Sequence, residues 1–478
     1  MADCCSTDKD PEEIFDLLII GGGSAAFAAA IETSTLGGTA VIFNEGLPVG
    51  GTCVNVGCVP SKAMIRAAEK VHHANVHGFE GVASGARVSD FSAVTRQTTA
   101  LVEELRDQKY LNVIADDESI QLVEARARLI EPGVVEAAGV RYRGRNVLIA
   151  TGARPALPGI PGLDTVPVLT NEDLYQLEDL PEHLIVIGGR YIALENAQMM
   201  ARLGSKVTVL QRSARILPTE APELTDGLTT FLRAEGIEVL TGTAIQSVAA
   251  DPDGVTVRVL VNGEQEEIRG THLFIATGRH GNTDDLGLEA LGIATDGSGY
   301  LRTGSDLRTS MPTVFGAGDV LGENQFVYTA AYEGKLAAQN AFRGGSARTD
   351  YTVLPWVVFT DPQVAGVGLD ERQAEEAGLT VDVSTIGLEH VPRAIAARDT
   401  RGFITLVRNR ATDVLVGARI LAPEGSELLM EVALAIRHRV TVDSLKSEFH
   451  PYLTMSEGIK LAAISFDKSV GKLSCCAA

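Results

Sequence analysis

Apolar and polar positions separate, near the start of the chain, into a strand, a glycine turn and a helix. The stretch FDLLIIGGGSAAFAAAIETSTLG, residues 15–37, opens with an apolar run, passes through three glycines and continues rich in alanine. A short apolar run before glycine is typical of a buried strand, and alanine favours helix. A second apolar run, TAVIFNE, follows at 39–45. The pattern therefore predicts a β-α-β unit.

The same pattern returns in the middle of the chain. HLIVIGGRYIALENAQMMARLGSKVTVLQR, residues 183–212, again reads as strand, glycine turn, helix and strand. Two further apolar runs end in Ala-Thr-Gly, at Gly152 and Gly278, and TVFGAGDV brings Asp319 to the end of another. A chain of 478 residues with these units predicts an α/β protein of two to four domains.

Composition narrows the class of protein. The chain is 45% hydrophobic and 22% charged, with a formal net charge of -21. That charge argues against nucleic acid or an anionic membrane as a partner, because both need basic patches. No apolar run is long enough to span a membrane, and MADCCSTDKDPEEIF lacks the parts of a signal peptide. We expect a cytoplasmic protein whose thiols are mostly reduced.

The first unit has the residues of a dinucleotide site. Gly21 suits the tight turn, and Gly23 lets the backbone approach a pyrophosphate, which the helix N-terminus at Ser24 and Ala25 would bind. Glu45 stands 22 residues after Gly23, where a carboxylate can accept a hydrogen bond from a ribose hydroxyl. The alternative is a glycine-rich turn in some other α/β protein.

The second unit differs at two positions. Arg190 stands where the second glycine is expected, so its side chain either points away from the phosphates or meets them as a cation. Arg212 takes the place that Glu45 has in the first unit, with Arg215 close by. Arginine suits a 2′-phosphate, which favours NADP over NAD; the alternative is solvated surface arginines. Two dinucleotide units in one chain suggest an electron relay from NADPH through a flavin.

The cysteines form three close pairs, Cys4/Cys5, Cys53/Cys58 and Cys475/Cys476. Structural disulfides usually join distant segments, so the pairs point to redox or metal chemistry, although small buried hydrophobes are the alternative. In GGTCVNVGCVPSK, residues 50–62, a Cys53–Cys58 disulfide could take two electrons from a reduced flavin. Zinc would need two more ligands, and His72 and His73 do not complete a known spacing.

This motif, the first nucleotide unit and GAGD together resemble the flavin-dependent pyridine nucleotide–disulfide oxidoreductases, from about Phe15 to Ala478. The resemblance implies two Rossmann-like dinucleotide-binding domains and an α+β C-terminal dimerisation domain, as in glutathione reductase. The implied division is a leader at 1–13, an FAD-binding domain at 14–155 and 283–348, an NADPH-binding domain at 156–282, an interface domain at 349–466 and a mobile tail at 467–478.

The resemblance also implies roles for residues. Cys53 would be the outer thiol that meets substrate, and Cys58 would lie against the flavin. Lys62 would pair with Glu195, and Tyr191 would cover the flavin until nicotinamide enters, unless it is ordinary packing. The implied FAD residues are Gly21, Gly23, Ser24, Ala25, Glu45, Gly51, Thr52, Lys62, Thr151, Gly152 and Asp319. The implied NADPH residues are Gly188, Gly189, Arg190, Tyr191, Glu195, Arg212, Arg215 and Gly278.

The segment EFHPYLTMSEGIKLAAISF indicates the substrate class. Aligning TMSE with the family's TLSE puts Glu457 in the glutamate position and Tyr452 where disulfide-reducing members have a catalytic histidine; His450 comes two residues too early. A tyrosine with a pKa of about 10 is a poor proton shuttle at neutral pH. With the terminal Cys475 and Cys476, the sequence resembles the mercuric reductase branch of the family, because Hg(II) prefers thiolates.

The resemblance implies a relay of Hg(II) in a homodimer with shared active sites. Cys475 and Cys476 on the tail would take Hg(II) from small thiol complexes or a mercury donor protein, and pass it to Cys53 and Cys58 of the other subunit. Tyr191 and Tyr452 would flank the metal. The leader pair Cys4/Cys5 is either a metal collector or incidental.

Three other functions stay open. A large thioredoxin reductase also has a C-terminal redox pair, but it would keep the histidine that Tyr452 replaces. A dihydrolipoamide dehydrogenase would lack the terminal pair and would usually carry a carboxylate in its second unit. A flavoprotein that only sequesters soft metals is the non-enzymatic alternative.

Overall fold

A computed structural model of the protein describes residues 14–469. Cys4, Cys5, Cys475 and Cys476 lie outside these residues, so the expectations for both terminal pairs stay predictions. The strands are β1 Ile14–Ile20, β2 Ala40–Asn44, β3 Ile120–Glu124, β4 Ala127–Glu131, β5 Val134–Ala137, β6 Val140–Ile149, β7 Ala153–Pro155, β8 His183–Ile187, β9 Lys206–Leu210, β10 Glu238–Leu240, β11 Thr243–Asp251, β12 Gly254–Val261, β13 Glu264–Gly270, β14 His272–Ile275, β15 Arg279–Gly281, β16 Val314–Gly316, β17 Trp356–Val358, β18 Gln363–Gly368, β19 Val381–Gly387, β20 Phe403–Asn409 and β21 Leu415–Ala422.

The helices connect these strands and cover their faces. They are α1 Ser24–Thr35, α2 Gly51–Val56, α3 Cys58–Asn75, α4 Phe91–Arg106, α5 Asn112–Ile114, α6 Asn171–Leu174, α7 Tyr191–Leu203, α8 Pro222–Ala234, α9 Val327–Arg343, α10 Glu371–Glu376, α11 Pro392–Ala397, α12 Leu429–Arg437, α13 Val442–Ser447 and α14 Glu457–Ile464. In the described range no helix is both long enough and apolar enough to cross a membrane.

The first module is built on a seven-stranded sheet in the order β3-β2-β1-β6-β5-β4, with β16 also paired to β6. β2, β1, β6 and β16 run parallel, and every residue of β2 is buried, as expected for a strand covered on both faces. The long β6 pairs with β5 through its first half and with β16 through its second half. Helices α1 and α9 pack together against this sheet.

The second module contains a four-stranded parallel sheet in the order β10-β9-β8-β14 and an antiparallel sheet β11-β12-β13. Its strand β8, glycine turn and helix α7 repeat the arrangement of β1 and α1, as the sequence pattern predicted. Apolar residues of β8, β14 and β12 fill the space between the two sheets.

The third module is a five-stranded antiparallel sheet, β17-β18-β21-β20-β19, with α12 and α14 packed against it. One mixed sheet with a parallel core, one parallel sheet and this α+β module agree with the predicted fold class. One hydrophobic cluster joins all three modules: it contains Met64 of α3, Met199 of α7 and Leu421 of β21. The cysteine motif on α2 and α3 therefore lies next to the junction of the modules.

Candidate active site

The first glycine turn is shaped by close backbone contacts. Gly21 has φ +121°, and a Cβ on it would lie 2.2 Å from the carbonyl oxygen of Ala150. Beside it the Gly50 amide donates to the Gly22 carbonyl at 2.8 Å, and a Cβ on Gly51 would lie 2.9 Å from Gly23. Only glycines allow these approaches. The contact holds the start of the cysteine motif against the start of α1.

Several predicted FAD residues surround this turn. Ser24 and Ala25 begin α1, and the Ser24 hydroxyl lies 3.1 Å from that of Tyr110. Glu45 is exposed just beyond the end of β2. Thr52 lies in the first turn of α2. Thr151 and Gly152 follow β6, and Gly152 has φ +70° with nothing within 4 Å of a built Cβ. These residues share the carboxyl end of the parallel sheet, where α/β folds bind ligands.

The cysteines meet at a break between two helices. α2 ends at Val56 and α3 begins at Cys58, with Gly57 between them at φ -131°, ψ -114°. A Cβ on Gly57 would lie 2.8 Å from the carbonyl oxygen of Thr52. A side chain here would force the two helices apart, so glycine permits the approach of the two cysteines.

The two thiols are hydrogen bonded to each other, and their pKa values move in opposite directions. The hydrogen bond from Cys53 lowers the pKa of Cys58 to about 7, against the effect of burial and with help from the charge of Lys62. The same hydrogen bond and burial raise the pKa of Cys53. Near neutral pH Cys58 is therefore partly ionised while Cys53 stays protonated, and Cys58 remains exposed in this chain.

Lys62 lies one turn after Cys58 and forms an ion pair with the second module. Its Nζ is 2.7 Å from Oε2 of Glu195 and 4.7 Å from the centre of the Phe359 ring. Glu195 is buried on α7, and its other oxygen accepts from the Phe359 amide at 2.9 Å. The pair therefore links all three modules beside the thiolate.

In the first module the carboxylate of Asp319 lies close to Arg279 and near a second carboxylate, that of Glu333. Burial raises the pKa of Asp319, against the charge of Arg279, whose Nε is 3.9 Å from the carboxylate. That Nε is buried and has no hydrogen-bond partner in the described part of the chain. The preceding amide, of Gly318, donates to Oε2 of buried Glu333 at 2.7 Å, and the Tyr351 hydroxyl donates to Oε1 at 2.6 Å. Burial raises the pKa of Glu333 to about 7.

The second glycine turn repeats the first. Gly188 has φ +130°, and a Cβ on it would lie 2.3 Å from the carbonyl oxygen of Ala276. Gly189 follows, packed against the Gln211 side chain. Arg190 precedes α7 and is exposed. Gly278, φ +144°, has nothing within 4 Å of a built Cβ.

The predicted arginines of the second unit divide into two kinds. Arg190 and Arg212 are exposed, and within residues 14–469 neither forms an ion pair. Arg215 is instead paired with Asp226 at 2.9 Å. Arg212 is therefore available to an anion at the end of β9, whereas Arg215 would first have to leave its carboxylate.

The loop before α14 is the segment in which disulfide-reducing members of the family have a catalytic histidine. Tyr452 is 55% exposed. The His450 side chain is buried, and its Nε2 lies 2.7 Å from Oε1 of Glu431 on α12. Oε2 of Glu457 is buried without a hydrogen-bond partner among the described residues. The histidine is thus engaged by Glu431, and no histidine accompanies Glu457.

Sequence reasoning missed three residues of this region. Glu333 accepts hydrogen bonds from residues that are 15 and 18 positions away in the chain, Glu431 contacts His450, and the Trp356 ring stacks on Tyr191. None belongs to a motif with fixed spacing. The one available signal was Glu333 itself, a carboxylate among the alanines on the buried face of α9.

Comparison with known proteins adds independent information. Residues 15–334 match the family described as "Pyridine nucleotide-disulphide oxidoreductase", and residues 354–463 match its dimerisation domain. The "Mercuric reductase" of Streptomyces lividans is 42% identical over 97% of this chain and 98% of its own length. That of Staphylococcus aureus is 40% identical over 99% of this chain and 86% of its own length.

Solved structures show the same architecture. The "HOCl-induced flavoprotein disulfide reductase RclA from Escherichia coli" is 28% identical, with a TM-score of 0.84 over 94% of this chain and 99% of that one. Its Cu(II) complex gives a TM-score of 0.85 at 27% identity, over 95% of this chain and 100% of that one.

Proposed function

Because the chain belongs to the pyridine nucleotide-disulphide oxidoreductase family, we propose that it is an enzyme that reduces Hg(II) to Hg(0) with electrons from NADPH. The observation that carries the proposal is the similarity to relatives named "Mercuric reductase", which are 40–42% identical over 96–100% of this chain. The overall reaction balances as NADPH plus Hg²⁺ giving NADP⁺, Hg(0) and one proton.

The family uses FAD and NADPH, and the residues of this chain fit both. A Cβ on Gly23 would meet only Gly51, so the backbone leaves room for a pyrophosphate at the start of α1. Half-buried Asp319 and the Nε of Arg279, which makes no hydrogen bond to any residue between 14 and 469, suit hydroxyl and carbonyl groups. Exposed Arg212 suits the 2′-phosphate that distinguishes NADPH. FAD, when bound, supplies the two-electron step between NADPH and the metal site.

The thiols of this chain suit Hg(II) as substrate. Cys58 is partly thiolate near neutral pH, and each thiol gives up its remaining proton when the metal binds, because thiolate is the metal ligand. Two sulfur ligands from one pair then exclude water from the metal. The ammonium of Lys62 is held near the pair by Glu195 and offsets part of the negative charge of two thiolates.

We assign Tyr191 and Tyr452 to positions beside the metal, with Tyr191 also covering the nicotinamide site. The engagement of His450 by Glu431 supports a site without a histidine proton shuttle. Hg(II) transfer between thiolates needs no such shuttle, whereas a disulfide substrate requires protonation of a leaving thiolate. This favours the metal over the disulfide.

The delivery of Hg(II) is the part of the proposal that extends beyond the described residues. Cys475 and Cys476 take Hg(II) from thiol complexes, or from a donor protein, and pass it to Cys53 and Cys58 of the other subunit. A second adjacent thiolate attacks at high effective concentration, which favours each transfer. The dimerisation domain at 354–463 supports the homodimer on which the exchange depends. Cytoplasmic location is part of the same proposal.

The rival function is reduction of a disulfide, as the name of the Escherichia coli structure indicates for that protein. NADPH oxidation is measured with Hg(II) in excess thiol, with glutathione disulfide, with lipoamide and with oxidised thioredoxin. We expect turnover with Hg(II) and little with the disulfides. Rapid turnover of a disulfide, with Hg(II) acting only as an inhibitor, would replace the proposal by a disulfide reductase. Binding of Hg(II) with no NADPH oxidation would indicate metal sequestration.

The relay has a separate test. The double variant Cys475→Ala/Cys476→Ala should lose more turnover with thiol-bound Hg(II) than with Hg(II) carrying weak ligands, because only the former must be captured by exchange. The matched control is Cys4→Ala/Cys5→Ala. Equal losses with both forms of Hg(II) would exclude the relay and leave reduction at Cys53 and Cys58 intact.

A further inference from the structure

A row of aromatic rings crosses the junction of the three modules. The Tyr191 ring, in the first turn of α7, lies 6.1 Å from the Trp356 ring of β17 at an angle of 6°. It lies 6.3 Å from the Phe326 ring, just before α9, at 18°. Phe326 in turn lies 5.3 Å from Tyr328 at 5°. Near-parallel offset rings attract each other beyond their buried area, so Tyr191 is held jointly by the first and third modules.

Apart from these rings and the apolar cluster at the module junction, no polar contact holds the Tyr191 ring among residues 14–469. Its hydroxyl makes no hydrogen bond to any residue between 14 and 469. Burial raises the pKa of Tyr191 to about 12, so the hydroxyl stays protonated near neutrality. The ring is therefore kept in place by its aromatic neighbours, and it can leave without breaking a hydrogen bond.

Trp356 is fixed much more firmly than Tyr191. It pairs with Gly366 across β17 and β18, and a Cβ on Gly366 would lie 2.5 Å from the indole. On the ring of Trp356 lies the Arg419 guanidinium, 5.6 Å from the centroid. Packing against a strand and a cation leaves the indole little room to move.

Arg419 is itself held rigidly. Its buried guanidinium donates to Glu220 at 3.1 Å, to Gln373 at 2.9 Å and to three backbone carbonyls. Glu220 belongs to the second module and Arg419 to the third. The Arg419 side chain that packs on Trp356 is thus hydrogen bonded to the module that contains Tyr191.

We propose that Trp356 is a positioning residue that holds Tyr191 in its closed position, from which nicotinamide must displace it. The inference rests on the role proposed above for Tyr191. The apparent dissociation constant of a ligand rises as the binding-competent fraction falls. Each pair of stacked rings changes the equilibrium constant between the closed and open positions of Tyr191 by about two- to tenfold. The stack therefore weakens NADP(H) binding while it keeps the site covered.

The test uses the FAD-loaded enzyme, NADP⁺ and no mercury. Trp356→Leu should bind NADP⁺ about two- to tenfold more tightly than the parent, because less stacking energy is lost when Tyr191 leaves its closed position. Trp356→Phe, which keeps a ring, should stay closer to the parent. The matched control is Phe466→Leu, another aromatic residue of the third module under an arginine, Arg408 at 4.4 Å. Unchanged or weaker binding by Trp356→Leu, with normal FAD content, overturns the proposal.

Two further measurements separate this inference from the proposed function. Trp356 is the only tryptophan of the chain, so NADP⁺ should change the intrinsic emission of the parent and change it much less in Tyr191→Leu. Trp356→Leu should add nothing to the affinity of Tyr191→Leu, because the ring it positions is gone. An additive gain would exclude the positioning role. If Tyr191→Leu binds NADP⁺ more tightly and Trp356→Leu does not, Tyr191 covers the site and the positioning role of Trp356 is rejected. Both measurements are made without mercury, so they do not depend on the proposed reaction.

Discussion

At the residue scale the pKa values of the two thiols are separated chiefly by the hydrogen bond between them, with smaller effects of burial and of the Lys62 charge. Cys53 donates to Cys58 and lowers the pKa of Cys58 to about 7, while its own pKa rises. Near neutral pH Cys58 is therefore the more ionised of the two thiols, and its thiolate fraction grows as the pH rises above 7. Since the pair titrates as a unit, the first proton is lost near neutrality and the second only at higher pH.

The first prediction concerns the reactivity of Cys58 in the reduced protein. Its rate of alkylation by iodoacetamide should rise about tenfold per pH unit below pH 7 and level off above about pH 8, as the thiolate fills. Cys53→Ala should move the midpoint upward, because the donor is lost, and Cys53→Ser should move it less. Peptide mass spectrometry measures the rate. A midpoint near 9 in the parent would show that the hydrogen bond does not lower the pKa.

The second prediction concerns Lys62 and buried Glu195. Lys62→Met leaves a carboxylate without its cation and should destabilise the protein by about 1–3 kcal/mol, a value reduced for the partial exposure of Lys62. It should also raise the pKa of Cys58, which the Lys62 charge lowers. Thermal unfolding and the alkylation profile measure the two effects.

Two variants control for this interpretation. Lys62→Arg keeps the charge and should stay near the parent, and Lys62→Met/Glu195→Gln should recover part of the stability because no buried charge remains. A single variant Lys62→Met with the melting temperature of the parent would show that the pair contributes nothing.

Residues within motifs were the predictable part of the site. The glycines of both turns follow from the spacing that a tight turn before a helix requires, and Cys53 and Cys58 stand out as a close pair of cysteines. Glu333 and Glu431 were not predictable, because their partners are distant in sequence and the contacts depend on how α9 and α12 pack. The sequence also could not show that Arg212 is exposed whereas Arg215 forms an ion pair.

At the element scale two features position the site. One is the break between α2 and α3, and the other is the packing of α3 and α7 next to β18. In the structure two helices meet at Gly57. Periodicity alone could not place α3 against α7 and β18, because that packing depends on complementary surfaces of distant elements. The result is a charged cluster, centred on Asp361, that joins the three modules.

The third prediction concerns this cluster. Asp361 lies 2.8 Å from His73 of α3, 3.0 Å from Arg202 of α7 and 3.1 Å from Arg401. The hydrogen bond to Asp361 raises the pKa of His73. A raised folded-state pKa contributes stability below the unfolded pKa, near 6.5, and that contribution disappears as pH rises through the folded value. His73→Gln should therefore be less stable than the parent at pH 6, and the difference should shrink at higher pH.

The neighbouring His72 is the matched control. Burial lowers the pKa of His72, so its protonation opposes folding, and His72→Gln should gain stability relative to the parent at acid pH. Thermal unfolding between pH 5.5 and 9 measures both variants. A His73→Gln penalty that grows with pH would contradict the assigned ion pair.

At the scale of the whole molecule the third module supplies both the dimerisation domain and part of the site. Met430, Leu434, Phe449 and Leu453 are exposed apolar side chains within residues 354–463. A monomer exposes them to water, whereas a homodimer can bury them. Phe449 and Leu453 flank Tyr452 in the loop before α14, so a partner that buries them would also lie close to Tyr452. The family resemblance implied a homodimer, but not which side chains face the partner.

The central claim is that one NADPH reduces one Hg(II) through Cys53 and Cys58. The most direct measurement follows NADPH oxidation and trapped mercury vapour together, in sealed vessels with Hg(II) and excess thiol. The account predicts one Hg(0) per NADPH for the parent, and no vapour above the background without enzyme for Cys53→Ser or Cys58→Ser. Oxidation of NADPH without vapour, or vapour at the parent rate from the cysteine variants, would contradict it.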